Sequence, residues 1–571
     1  MFSILNHFKS ILKIAAVGAI ILMMVIGSST SGSASVRRVE SIGIGTSLQT
    51  GNDSDSLPLM LDQFNEAGIK WIREEIPWSE VEQAPGEFRW HYGYDMEYRD
   101  FPQMINLINA RDMHLLAVLD TGPVYLQHQY PNQPINPDQL VENWANYVNA
   151  VVEKFGDSID AWEIGGAVND PAVWGKVVYP TVPGATAEPD PFLYTRLLST
   201  ASNIIKAHDP NDLVIAGGFS VVAQNCEWSV ERFLATINNA QAWDSFDLLG
   251  LQPDWGTFSP ETKMSSNATV NPDSGGCSIA EESTTFDLVG KIKSIQAFMQ
   301  NYGEKPIWIT EIGWQDNQVK ATADQFGVDA YQIKTNYLAR SLVALINEPG
   351  IEKVFWQGYD RYDGTTIQNL DPTSQQALHN ISDLLSNSIQ LGQYQTVSSS
   401  PGQQSITEEF RFRKNGKLIL IAWNTLGGSQ PVPVEFKNVD AKSVRAYATN
   451  TDSFSKKDGY VINVRPDKTF TIQLTEWPVL FIAEPENVFQ EIKFSIEDRA
   501  TILANAVKGI ARGWMNTLVH AAEKEAQNLF EKALTALTDW FFGLFDKKTS
   551  AFEPTSAAIR IGITIYQNKM I

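Results

Sequence analysis

Between residues 40 and 390, short apolar runs alternate with stretches whose apolar residues recur at helical spacing. The runs predict strands at Ser41–Gly45, Ile69–Arg73, His114–Leu119, Ile159–Gly165, Leu213–Gly218, Phe246–Gln252, Pro306–Glu311 and Lys353–Gly358. The amphipathic stretches between them, among them Val141–Phe155, Phe192–Ala207, Phe286–Tyr302 and Gln325–Ile346, predict helices. Strands alternating with helices in this way predict an α/β fold, a closed (β/α)8 TIM barrel. An open doubly wound sheet would carry a Gly-rich phosphate turn after its first strand. Gly43-Ile44-Gly45-Thr46 lacks the third glycine, and no helical start follows it.

Residues 390–404, rich in Gln, Ser, Pro and Gly, read as a linker. The pattern then changes to strands over 405–484. Glu408–Lys414 and Lys417–Trp423 flank Asn415-Gly416, a hairpin signal. Val432–Phe436, Ser443–Thr449, Tyr460–Val464, Thr469–Leu474 and Val479–Ile482 complete a small antiparallel β-domain. The tail, 488–571, places Phe530, Leu534, Leu537, Phe541 and Leu544 on one helical face. That face predicts packing on the body or self-association through the helix. A membrane-surface helix would usually have a basic face, which the interspersed Glu and Asp residues here deny.

At the other end, Lys9 and Lys13 flank an apolar run from Ile14 to Gly27, followed by small residues from Ser28 to Ser35. These features predict a signal peptide over 1–36, with an uncleaved N-terminal anchor as the alternative and the only expected membrane contact. The expected location is therefore secreted or cell-surface. Cys226 and Cys277 could form one disulfide in such a compartment or remain two thiols, and sequence alone leaves this open. Asn-x-Ser/Thr sequons begin at Asn52, Asn267 and Asn380. Lys and Arg total 44 against 66 Asp and Glu, a net charge of −22, which repels phosphate backbones and argues against nucleic acid as a partner. The 16 Trp residues fit sugar stacking, although buried Trp is mostly core.

A barrel enzyme carries its chemistry at the C-terminal ends of the strands. Those ends here read Arg73-Glu74-Glu75-Ile76-Pro77-Trp78, Asp120-Thr121-Gly122-Pro123, Trp162-Glu163-Ile164-Gly165-Gly166-Ala167, Gln252-Pro253-Asp254-Trp255, Thr310-Glu311-Ile312-Gly313-Trp314 and Trp356-Gln357-Gly358-Tyr359. Carboxylates suit glycosidic cleavage and aromatic faces suit sugar rings, so the expected partner is an oligo- or polysaccharide. The seven His residues show no metal-ligand spacing. Neither a Gly-x-Ser-x-Gly elbow nor a phosphate-binding Gly-Lys loop occurs, so no cofactor and no metal are expected.

Three segments carry a family resemblance. They are Arg73 with Trp78 and Pro85-Gly86-x-Phe88-x-Trp90, then Trp162-Glu163-Ile164-Gly165, then Ile309-Thr310-Glu311-Ile312-Gly313-Trp314. Over residues 40–390 the chain resembles the clan of retaining glycoside hydrolases built on (β/α)8 barrels, with catalytic glutamates after strands four and seven. An appended β-domain like 405–484 is common among its β-xylosidase-like and related members. The resemblance implies Glu311 as the nucleophile, Arg73 beside it keeping it ionised, and Trp356 as the floor of the first sugar subsite. Trp78, Trp255 and Trp314 join Trp356 as expected stacking residues on the same rim.

The resemblance breaks at the acid/base. The clan has Asn-Glu directly after Trp-Glu-Ile-Gly, and this chain has Gly166-Ala167. An alanine carries no proton to donate. Asn169 matches an Asn that often follows the missing pair and is expected to bind substrate. Asp170, in Asn169-Asp170-Pro171, is the candidate surrogate acid, with Glu75, Asp120 and Asp254 as further candidates. Glu163 shares the strand parity of Ala167 but lies about 13 Å deeper at ~3.3 Å per residue, which makes it a barrel-interior carboxylate. The expected function is an exported, retaining-type glycoside hydrolase-like protein acting on or binding β-linked glycans. A catalytically inactive carbohydrate-binding homologue and a surface-assembly scaffold are the alternatives.

Overall fold

The computed structural model describes residues 41–485, apart from 46–55, 94–98, 121, 129–132, 223–224, 358–371, 387, 401–402, 426–430 and 455–457, together with 494–495. The expected signal peptide over 1–36, the helical face from Phe530 to Leu544, Asn52, Thr121, Gly358 and Tyr359 lie outside the described residues.

Eight parallel strands close a barrel: β1 (Ile42–Gly45), β2 (Trp71–Glu75), β3 (His114–Leu119), β4 (Ala161–Gly166), β5 (Leu213–Ser220), β6 (Leu248–Gln252), β7 (Ile307–Ile312) and β8 (Ile351–Gln357). Each pairs with the next, and β8 returns to β1 with Trp356 opposite Ile44. Every residue of β4 is buried, as is all of β3 but His114. Helices cover the outside and side chains fill the inside, which is why these strands read as unbroken apolar runs. At the N-terminal end, Trp71, Trp308 and Phe355 plug the barrel with Leu116, Ile215 and Leu248. Gly43 makes room for that plug, since a Cβ there would stand 2.4 Å from the Phe355 ring.

Three outer helices begin with Asn-Pro or Asp-Pro. Asn136, Asp170 and Asp190 accept backbone N–H bonds at the starts of Pro137–Phe155, Pro171–Val178 and Pro191–His208. Proline at the first position has a helical φ and no N–H to satisfy, while the preceding side chain caps the next donors. The single helix expected over Gln325–Ile346 is instead two helices, Asp316–Phe326 and Ala330–Asn347. Gly327 ends the first in the left-handed region, at φ 65°, and Asp329 with Gln332 forms a capping box for the second.

Cys226 and Cys277 are bonded, with Cα atoms 5.8 Å apart. The bond ties the segment after β5 to a two-stranded ribbon, Met264–Val270 with Cys277–Phe286, that follows β6. Of the sequons, Asn267 is exposed on this ribbon. Asn380 is buried, and its Nδ2 donates to the carbonyls of Thr449 and Thr451, so the folded chain offers no glycan site there.

The C-terminal strands are β9 (Ile389–Ser400), β10 (Gln403–Lys414), β11 (Lys417–Asn424), β12 (Val432–Phe436), β13 (Ser443–Ala448), β14 (Tyr460–Asn463), β15 (Phe470–Leu474) and β16 (Val479–Glu484). They form an antiparallel sheet in the order β9-β10-β11-β16-β13-β14, and a separate β12–β15 pair. The segment 390–404, expected as a linker, is largely strand β9. Its pairing is with the backbone of β10, and Gln393 and Gln395 both donate to Glu408, so no apolar run marks it. Asn415 and Gly416, at φ 51° and 78°, make the expected hairpin turn.

The faces of β11 explain why this sheet packs on the barrel. Ile419, Ile421 and Trp423 join the barrel's core with Phe410, Phe412 and Leu480, while Leu420 and Ala422 face a second core containing Val434, Phe436, Phe470 and Phe481. That is the period of two that a strand imposes. Trp423 also donates its indole N–H to Glu261 (2.9 Å), which the buried Arg340 holds from the other side. Trp423→Ala therefore removes both packing and a hydrogen bond. It is expected to lower stability by about 3–5 kcal/mol, as read by chemical denaturation.

Candidate active site

The C-terminal mouth of the barrel is organised by one cation. Arg73, on β2, donates from Nε to Glu163 of β4 at 2.7 Å and from Nη1 to Glu311 of β7 at 3.3 Å. The other oxygen of Glu163 accepts from the Thr310 hydroxyl at 2.7 Å. Glu163 has a side chain 0% exposed and that of Glu311 is 28% exposed. The first is thus an interior anchor, as expected, and the second opens onto a cleft of about 360 Å³. Ala167, Asp170, Asp254, Trp314 and Lys334 border the same cleft.

Burial pushes the Glu311 carboxyl above the ordinary glutamate range. Arg73 opposes this, and the negative charges of Glu75, Glu163 and Asp254 reinforce it. For Arg73, burial works against the charged form, but Glu163 and Glu311 outweigh it and hold the guanidinium protonated.

Strand β4 ends in a left-handed turn. Ala167 sits at φ 46°, a region non-glycine residues rarely visit, and its N–H donates to the Gly218 carbonyl. A Cβ on Gly166 would stand 3.3 Å from Arg73 Nη2, 3.5 Å from Asp120 Oδ2 and 3.6 Å from Gln252 Nε2. A side chain at 166 would therefore enter the polar ring of the mouth.

Not every expected site residue faces the cleft. The Nδ2 of Asn169 donates to the carbonyls of Ser220 and Trp228, both at 2.8 Å, and its Oδ1 accepts from the Ser220 N–H at 2.7 Å. These bonds make it a buried latch between the β4 turn and β5, rather than a sugar ligand. Asp170 does border the cleft, but its Oδ1 caps the helix Pro171–Val178 through the N–H groups of Ala172 (2.7 Å) and Val173 (3.3 Å).

The four tryptophans expected to present open faces are between 0% and 3% exposed. Trp78 stacks on Tyr147 with centroids 5.2 Å apart. Trp255 donates to the Thr262 carbonyl at 3.3 Å. Trp314 donates to the Phe258 carbonyl at 3.0 Å, lies 6.0 Å from the Trp356 ring, and is the only one of the four bordering the cleft. All four rings belong to the barrel's main hydrophobic core, where a large apolar body fills space.

Sequence reasoning missed Lys334, which borders the cleft and pairs with Asp316 at 2.8 Å. Its place follows from the helix break at Gly327, whose Gly-x-Asp pattern was the available signal.

The raised Glu311 carboxyl has a consequence for stability. Below the ordinary glutamate pKa both folded and unfolded chains hold the proton. As pH rises, the unfolded chain releases it first, so this group destabilises the fold at neutral pH. Glu311→Gln is expected to melt higher than the parent at pH 7, with the difference vanishing below about pH 4.

Residues 285–388 match the family described as Glycosyl hydrolase catalytic core, a stretch that contains β7 and β8. No curated protein matches the chain in sequence. Among solved structures, a family 39 glycoside hydrolase from the gut symbiont Bacteroides cellulosilyticus WH2 aligns at 16% identity over 78% of this chain and 81% of its own, with a TM-score of 0.54. A GH30 endoxylanase from Clostridium papyrosolvens C71 aligns at 15% identity over 79% of this chain and 98% of its own, with a TM-score of 0.49. The chain thus carries a glycoside hydrolase-like (β/α)8 barrel, with the family match falling on the strands that hold Glu311 and Trp356.

Proposed function

We propose that this chain is an exported, glycoside hydrolase-like protein that acts on β-linked glycans. Glu311 is the nucleophile, and the position normally held by the acid/base is Ala167. One observation carries the reading: Glu311 stands at the cleft mouth with Arg73 on it, and Arg73 is itself fixed by a fully buried glutamate. A nucleophilic carboxylate must reach a substrate, which the exposure of Glu311 allows, and must be ionised to attack, which Arg73 favours against the effect of burial. The catalytic-core match supports a saccharide partner. The basic, apolar, small-residue sequence of 1–36 supports export, and the Cys226–Cys277 bond suits an oxidising compartment.

In this reading Glu311 attacks the anomeric carbon, the glycosidic bond breaks, and water later hydrolyses the glycosyl ester. Without a proton from residue 167, departure of a sugar alkoxide loses about 10²–10⁴-fold of acid assistance unless another group supplies it. Aryl glycosides with activated leaving groups need little such help.

The test uses 2-deoxy-2-fluoro aryl glycosides with a dinitrophenyl leaving group. A covalent adduct located on Glu311 by mass spectrometry, absent in Glu311→Gln, is the expected result. If the parent protein cleaves only the activated aryl glycosides, Ala167→Glu is expected to raise cleavage of natural oligosaccharides at least about 10²-fold. Glycan binding without adduct or turnover, and unchanged in Glu311→Gln, would instead identify an inactive carbohydrate-binding homologue.

A further inference from the structure

We infer that Asp254, just beyond the end of β6, is the proton donor and acceptor working opposite Glu311. The inference rests on the nucleophile reading above and supplies the acid that Ala167 lacks. Strand β6 pairs directly with β7, with Leu251 opposite Ile309, so the turn after Gln252 and the end of β7 emerge side by side. Asp254 and Glu311 border the same cleft.

The Asp254 carboxylate is held but not consumed. Its Oδ1 accepts from the Gly256 N–H at 2.8 Å and from Gln318 Nε2 at 3.5 Å, while Oδ2 takes no hydrogen bond among the described residues. Asp254 is exposed, so it can exchange a proton with water. Arg73 sits on Glu311, and no cation among the described residues pairs with Asp254. That difference leaves Oδ2 of Asp254 available to a leaving-group oxygen. The negative charge of Asp254 also reaches Glu311, where it is one of the influences raising that carboxyl.

The other candidates are committed elsewhere. Asp170 caps a helix through Oδ1, and any movement toward a leaving group breaks that cap. Glu163 has both oxygens bonded and is fully buried. Asp120 stands beside Arg73 and Gln252 around Gly166, and Glu75 contributes its charge to Arg73 and Glu311. Neither borders the cleft.

Glu311 attacks the anomeric carbon, the carbon–oxygen bond to the leaving group breaks with its electron pair on that oxygen, and the Asp254 proton joins the oxygen to release an alcohol. Water then attacks the glycosyl ester, its proton passes to the Asp254 carboxylate, and the electron pair returns to Glu311. The net reaction consumes one water and one glycosidic bond.

The experiment measures kcat/KM for a series of aryl glycosides, from dinitrophenyl to unsubstituted phenyl, with full-length parent protein, D254N and D170N, each checked for a parental melting transition. D254N is expected to lose about 10²–10⁴-fold on the phenyl glycoside and little on the dinitrophenyl one. Azide added to D254A is expected to raise turnover of the dinitrophenyl glycoside and to yield a glycosyl azide of retained configuration. A leaving-group-selective loss in D170N instead, or equal losses across the series in D254N, would overturn the assignment while leaving Glu311 as nucleophile. No turnover of even the dinitrophenyl glycoside by the parent protein would overturn both.

Discussion

Arg73 must satisfy two carboxylates at once, Glu163 inside the barrel and Glu311 at its mouth, and both depend on it. A carboxylate with no exposed side-chain surface is tolerable only when its charge and lone pairs are matched, and Glu163 achieves this with Arg73 and Thr310. The pair does more than neutralise. It links β2 to β4, and through Glu311 to β7, across the barrel interior. The guanidinium is therefore fixed before any ligand arrives, and Glu311 inherits a fixed position from it. Polar preorganisation of this kind gives a site its geometry without reorganisation during reaction.

The same arrangement explains why the site works against the fold. Burial and three neighbouring negative charges raise the Glu311 carboxyl despite Arg73. A second cation would relieve that cost, but Lys334, which borders the cleft, is already paired with Asp316. The cost of the raised Glu311 carboxyl is offset by packing elsewhere, including the Trp423 seam between barrel and β-sheet.

The barrel was legible because buried parallel strands leave unbroken apolar runs. All eight were expected within a few residues, including β3 with both ends as found. Strand β9 was not, because its side chains are polar and its partner is another backbone. Within the site, Arg73, Glu163 and Glu311 could be placed from strand position, since parity decides which side chains point inward. The tryptophans could not. Position on a rim says nothing about which face of a ring is covered, and all four rings are buried in the core. Asn169 misled for a related reason: a polar residue after a catalytic strand reads as a ligand, yet here the backbone at Ser220 and Trp228 takes its whole amide.

Gly166 and Ala167 then acquire a structural meaning beyond the loss of one acid. With no side chain at 166 and only a methyl at 167, the β4 sector contributes no polar group of its own at these positions, and Arg73, Asp120 and Gln252 close around the gap instead. The carboxyl groups bordering the cleft are Asp170, tied to its helix, and, on the β6–β7 side, Asp254 just beyond β6 and Glu311 on β7. Relative to the arrangement that the sequence resemblance implies, the acid proposed at Asp254 approaches from the end of β6 instead of from β4.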